Sequence, residues 1–297
     1  MAFAAGRFSG GVIFLTFLQI FLRRVAVNGD SFSGGQKPKQ WNKNNGCDFY
    51  DGSWVYDVSY PLYDASDCPF IDNGFNCRKN GRPDSGYLKF RWQPRRCDLP
   101  RFNGGDLVER YRGKKIMLVG DSLSNNMWQS LTCMLHGAEY GTSIMYLKNG
   151  FLVDLVEETI GKVLKLDSIT RGDQWKSVDL LIFNTYHWWT HTGHYKTGKD
   201  WGEASTKNCQ GEKEPIKGLR YPGRGASFEG EAIVKSVLND VVTPVYLLDI
   251  TLLTQLRKDG HPSNYTANSI LLDCSHWCLP GVPDIWNLIL FATLFQN

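Results

Sequence analysis

The sequence predicts an α/β fold, a mainly parallel sheet covered by helices and preceded by a loop-rich, disulfide-stapled region. Three observations carry that prediction. The runs at 115–119, 178–183 and 245–250 are short and nearly continuously apolar, as expected of strands buried on both faces. Helical patterns lie between and after them: Met127, Leu131, Met134 and Leu135 within 125–136, a modest amphipathic stretch over 230–239, and a helix over 285–295 following Pro283. Strand runs alternating with helical patterns argue for a parallel sheet. Finally, residues 47–105 combine four cysteines with frequent Asp, Gly and Pro and no helical periodicity. Within that region Tyr60-Pro61-Leu62-Tyr63 and Arg82-Pro83-Asp84-Ser85-Gly86 are turn chemistry.

The order along the chain follows from composition. In residues 1–29, Arg7 precedes an uncharged apolar run, Val12 to Leu22, and Arg23 and Arg24 follow it. The run is about half the ~20 residues a spanning helix needs. It reads as a signal peptide cleaved near Ala26 or Gly29, or as a signal-anchor if the segment is counted from Phe8. Either way the remainder enters the secretory route. Residues 30–46 are a polar, flexible linker, 47–105 the Cys-rich subdomain, and 106–297 the α/β domain. With 42% hydrophobic residues over 297 positions, the chain can bury a substantial core. The net charge of +3 is too small to imply a nucleic-acid partner.

Cysteine usage agrees with an oxidising compartment. All eight cysteines follow the leader, and an even count favours four disulfides, of 105 possible connectivities. Neither a Cys-x-x-Cys pair nor a carboxylate spaced to complete the loose cluster of His187, His191 and His194 occurs, so no metal site is expected.

Three segments carry chemistry. Gly120-Asp121-Ser122 follows the first buried strand and leads into a helix, which sets Ser122 at the carboxyl edge of the sheet, where open α/β folds bind ligands. Its hydroxyl is a nucleophile if a base lies in reach, and otherwise only a helix cap. Asp273-Cys274-Ser275-His276-Trp277-Cys278 supplies that base: Asp273 would orient the imidazole and His276 would present Nε2 to Ser122. Asn184, at the end of the second strand run, falls on the same edge. There it is either an oxyanion donor beside the Ser122 N–H or a turn ending the strand. Trp188 and Trp189 follow, as a platform for a sugar ring or as core.

These residues bring a resemblance. Cys47-Asp48-Phe49-Tyr50-Asp51-Gly52-Ser53-Trp54-Val55, Asp67-Cys68-Pro69-Phe70, Arg78-Lys79-Asn80-Gly81-Arg82-Pro83-Asp84, Gly120-Asp121-Ser122, Asn184-Thr185-Tyr186-His187-Trp188-Trp189, Leu256-Arg257-Lys258-Asp259-Gly260-His261-Pro262 and the Asp273–Cys278 segment resemble the trichome-birefringence-like plant polysaccharide O-acetyltransferases, relatives of GDSL/SGNH esterases. The resemblance implies a three-layer α/β/α SGNH-like fold in a Golgi-route enzyme, membrane-anchored or lumenal, with the cell wall as the alternative location. It implies acetylation of xylan, mannan or pectin through an acetyl-Ser122 intermediate, an acetyl donor as co-substrate and no bound cofactor. It further implies the pairings Cys47–Cys97, Cys68–Cys133, Cys77–Cys278 and Cys209–Cys274. The chain departs from the family in two places: about twenty residues are missing after His136 and roughly sixty between Gly193 and Trp201, where the family carries a long helix and a core strand. An acetylesterase acting on the same polymers, and an inactive glycan-binding or truncated form, are the rival readings.

Overall fold

A computed structural model describes residues 2–5, 47–138, 141–185, 188, 208–218, 229–243, 245–268 and 272–295. The strands are β1 (Ala2–Ala5), β2 (Gly52–Tyr56), β3 (Phe90–Pro94), β4 (Lys115–Gly120), β5 (Ser143–Lys148), β6 (Asp154–Glu158), β7 (Gly161–Lys165), β8 (Leu180–Asn184) and β9 (Val245–Leu247). The helices are α1 (Gly104–Arg110), α2 (Ser122–Met134), α3 (Glu229–Asp240), α4 (Thr251–Gln255) and α5 (Val282–Phe295). The main sheet runs β5-β4-β8-β1-β9. Its first three strands are parallel, whereas β1 lies antiparallel between β8 and β9. The α/β architecture around a parallel three-strand sheet therefore stands as expected.

Period-two alternation divides the core. Ile116, Leu118, Leu180 and Ile182 face α1, α2, α4 and α5 in one large cluster. Met117, Val119, Leu181 and Phe183 face the other way, onto Leu152 and Trp175. Among the described residues, that second face beside β4 and β8 is covered by Leu152 and by Ile169 and Trp175, which flank a 3-10 turn, Thr170–Gln174, while α3 and the residue after it meet the sheet at Val245 through Val237 and Val241. Helix α5 bears out the helix expected over 285–295, and it is buried on nearly every side. It starts at Val282, with Pro283 inside its first turn, where a missing N–H costs nothing.

Strand β5 and the β6–β7 hairpin were not expected. Ser143–Lys148 is half-buried at its four central residues and exposed at both ends, which blurs both the alternating and the continuous pattern. The Cys-rich region likewise contains an antiparallel pair, β2–β3, with Trp54 edge-on to Trp92 at 5.6 Å. Its turn-rich composition hid two five-residue strands. The region is bonded outward rather than self-contained: Cys68–Cys133 reaches α2, Cys77–Cys278 reaches the segment before α5, and Trp54 Nε1 donates to the Leu253 carbonyl at 2.8 Å. The other two disulfides are Cys47–Cys97 and Cys209–Cys274.

Candidate active site

The site begins where β4 ends. Residue Gly120 pairs in register with Asn184 of β8, and a Cβ on Gly120 would lie 2.1 Å from the Asn184 carbonyl oxygen. Only glycine allows the two strand ends this close. Asp121 caps α2 through its Oδ1, which accepts from Leu123 N–H at 2.9 Å. Ser122 is the first residue of α2 and partly exposed. Residue Asn184 donates through Nδ2 to Asp121 Oδ1 at 2.9 Å, so the two edge residues are joined.

The second half of the site is the segment 273–278. Asp273 Oδ2 lies 2.7 Å from His276 Nδ1. A carboxylate only accepts, so Nδ1 carries the proton and Nε2 is left as the acceptor in the neutral ring. Burial opposes ionisation of Asp273. The His276 hydrogen bond and charge, together with the N–H groups of Ser275 and His276, outweigh it and hold the carboxyl below the usual carboxylate range.

What brings the segment to Ser122 is a residue that sequence patterning overlooked. Asn126 lies one helical turn beyond Ser122, on the same face of α2. Its amide donates to the Trp277 carbonyl at 3.2 Å and accepts from the Trp277 N–H at 2.8 Å. The residue after His276 is thus clamped to the turn after Ser122. Among the described residues no hydrogen bond joins His276 to Ser122; such bonds are commonly long before substrate binds.

Other anchors surround the imidazole. His261 Nδ1 donates to the His276 carbonyl at 2.7 Å, and the His261 ring stacks on Trp277 with centroids 3.9 Å apart. The buried Arg82 guanidinium holds Asp84 with two bonds of 3.0 Å and donates to the carbonyls of Asp259 and His261. Phe75, from the Cys-rich region, sets its ring 5.3 Å from that of His276. A buried Asn inside a helix and an Arg two residues before an Asp were the available signals; neither has a periodicity.

Trp188 is 42% exposed and stands over Gly150, where a Cβ would be 2.9 Å from its Cδ1. The neighbouring Asn149 N–H donates to the Gly120 carbonyl, so this indole borders the Ser122 turn. Trp189, His187, His191 and His194 lie outside the described residues, as does the apolar run 12–22. Among the described residues, no three His, Cys, Asp or Glu side chains are grouped to hold a metal, and no helix is long and apolar enough to cross a membrane.

The chain matches the PC-Esterase profile, described as the GDSL/SGNH-like acyl-esterase family found in Pmr5 and Cas1p, over residues 99–140, 136–203 and 193–293. The PMR5 N-terminal domain matches residues 45–98. The chain belongs to the PC-Esterase family. Its curated relatives include three proteins of Arabidopsis thaliana. Trichome birefringence-like 42 is 46% identical, covering 84% of this chain and 90% of its own length. Trichome birefringence-like 39 is 43% identical, covering 84% and 88%. Trichome birefringence-like 43 is 38% identical, covering 97% and 98%. The alignment to trichome birefringence-like 43 runs over 367 positions, longer than the 297-residue chain, so that PC-Esterase relative has residues this chain lacks.

Proposed function

We propose that this PC-Esterase member is an O-acetyltransferase acting on a plant cell-wall polysaccharide, xylan, mannan or pectin, with Ser122, His276 and Asp273 as its triad. The observation that carries the reading is the Asp273–His276 hydrogen bond within a segment fastened to the helix that Ser122 begins. Ser122 Oγ attacks the acetyl carbonyl of the donor while His276 Nε2 takes its proton. The oxyanion is held by the Ser122 N–H and the Asn184 amide, and collapse expels the donor's leaving group with the proton from His276. A sugar hydroxyl then gives its proton to His276, attacks acetyl-Ser122 and leaves as the acetyl ester, restoring the serine. Trp188 and Trp189 form the sugar-stacking rim.

Residues 1–29 direct the enzyme into the secretory pathway, with the Golgi as its workplace; the apolar run is either kept as an anchor or cleaved, and cleavage also removes β1 from between β8 and β9. The stretches absent after His136 and between Gly193 and Trp201 account for the longer relatives; the second absence removes a helix and a strand of the family sheet. The profile breaks at 136–140 and 193–203 support those positions.

The family's description as acyl-esterases favours a second reading, in which water rather than a sugar attacks the acetyl-enzyme. Incubating the purified protein with an acetyl donor and deacetylated xylan, mannan or pectin separates the two. Acetyl on the polymer supports transfer. Free acetate alone, with acetylated polymers losing their groups, supports the esterase.

A further inference from the structure

Asp121 makes one more bond than a helix cap requires. It is buried, at 1% exposure, and its Oδ1 accepts both from Leu123 N–H and from Asn184 Nδ2, each at 2.9 Å. The first bond caps α2; the second crosses from the Ser122 turn to the end of the neighbouring strand. We propose that Asp121 is a positioning residue for acyl transfer, holding the Asn184 amide so that its second N–H faces the carbonyl oxygen attacked by Ser122. The proposal rests on the acyl-transfer reading of Ser122.

The geometry explains why a holder is needed. A primary amide has two donors fixed in one plane, so tying one to a rigid acceptor sets the direction of the other. An untied Asn at a strand end turns freely about χ1 and χ2. Asp121 is itself rigid: its carbonyl accepts from the Tyr146 hydroxyl at 3.0 Å, and the glycine before it admits the close approach of Asn184. The other carboxyl oxygen, Oδ2, is buried with no hydrogen-bond partner among the described residues, so the group's anchoring runs through Oδ1. A negative charge here would oppose a developing oxyanion. Burial pushes the carboxyl up to about 6, against the Leu123 N–H and the His276 charge, so that charge is more readily neutralised than on an exposed carboxylate.

Hydrolysis of 4-nitrophenyl acetate by single and double variants tests this. Asp121→Ser keeps a good helix cap, but its single short hydroxyl cannot serve both donors. We expect Asn184→Ala to lower kcat by about 10²-fold or more, as for loss of one oxyanion donor, and Asp121→Ser by about 10-fold or more, with KM within about twofold. In the Asn184→Ala background Asp121→Ser should cost nothing further, whereas with Asn184 in place Asp121→Asn, whose amide oxygen still accepts, should keep most of the parent rate. Equal losses in both backgrounds, or an Asp121→Ser rate equal to the parent's, would overturn the proposal. A Ser122→Ala protein as active as the parent would instead remove the acyl-transfer reading, and this one with it. Should Asp121→Ser not fold, a structure of the parent with a phosphonate on Ser122 decides. Asn184 Nδ2 reaching both Asp121 Oδ1 and the phosphonyl oxygen supports the proposal; an amide turned away from Asp121 defeats it.

Discussion

The two halves of the candidate site are built by different means. Ser122 is placed chiefly by secondary structure: a parallel strand buried on both faces, a glycine at the strand end and a capped helix. His276 and Asp273 belong to no helix or strand beyond one isolated bridge between Asp273 and Ser263. That segment is held by cross-links instead, through Cys209–Cys274, Cys77–Cys278, the Asn126 clamp and the contacts of Arg82 and His261. A nucleophile can be fixed by the sheet that precedes it. A base that must reach it from the far end of the chain needs covalent and polar fasteners.

The largest effect should come from the chemistry the fasteners serve. Asp273→Asn keeps the shape of the loop but no longer enforces the Nδ1–H tautomer, and kcat should fall by about 10³–10⁴-fold with little change in thermal midpoint. A variant that keeps a tenth of the parent rate would mean His276 is not held by Asp273 for catalysis.

Removing Cys77 and Cys278 together, both to Ser, strikes the His276 half directly, whereas the disulfide nearest Ser122, Cys68–Cys133, joins the far end of α2. The Cys77–Cys278 bridge joins residues 201 apart. Its loss should cost roughly 2–5 kcal/mol in denaturant unfolding and lower activity more steeply than a core substitution of equal cost. If activity per folded molecule is unchanged, the bridge does not position the imidazole.

Asn126→Ala leaves the Trp277 N–H and carbonyl without their buried partner, at a cost of about 1–3 kcal/mol. Acetyl-ester hydrolysis should drop in kcat with KM nearly constant, since the loop rather than a substrate pocket is loosened. A changed KM at constant kcat would contradict the clamp.

The smallest effect is a difference of sign with pH. Folded Asp121 keeps its proton up to about 6, above its unfolded value, so its stabilising contribution is present at low pH and lost as pH rises through that range. Folded Asp273 is depressed, so its contribution is present above the unfolded value and lost as pH falls. Between about pH 3 and about pH 7, the stability of the parent relative to Asp121→Asn should fall with rising pH, and relative to Asp273→Asn it should rise. Slopes of the same sign would show that the two carboxyls share one environment.

The same contrast explains what could be read from residues alone. The β4–Ser122–α2 unit was legible because continuous burial and helical spacing each leave a pattern, and Gly120-Asp121-Ser122 marks the turn between them. The pairing of Asp273 with His276 was legible from its three-residue spacing. Asn126, Arg82 and His261 were not, because a polar side chain that bonds a distant backbone has no local signature. Strand β5 was lost to half-burial, and β1 could not be foreseen, since Ala2–Ala5 precede an apolar run that reads as a sorting signal.

The most direct measurement is the intact mass of the protein after brief exposure to a reactive acetyl ester, with the parent, Ser122→Ala and His276→Ala compared. The account predicts one added acetyl group on the parent, mapped to the peptide containing Ser122, and none on either variant. An acetyl group that persists on Ser122→Ala, or forms as fast without His276, would contradict the meeting of the two halves on which the account depends.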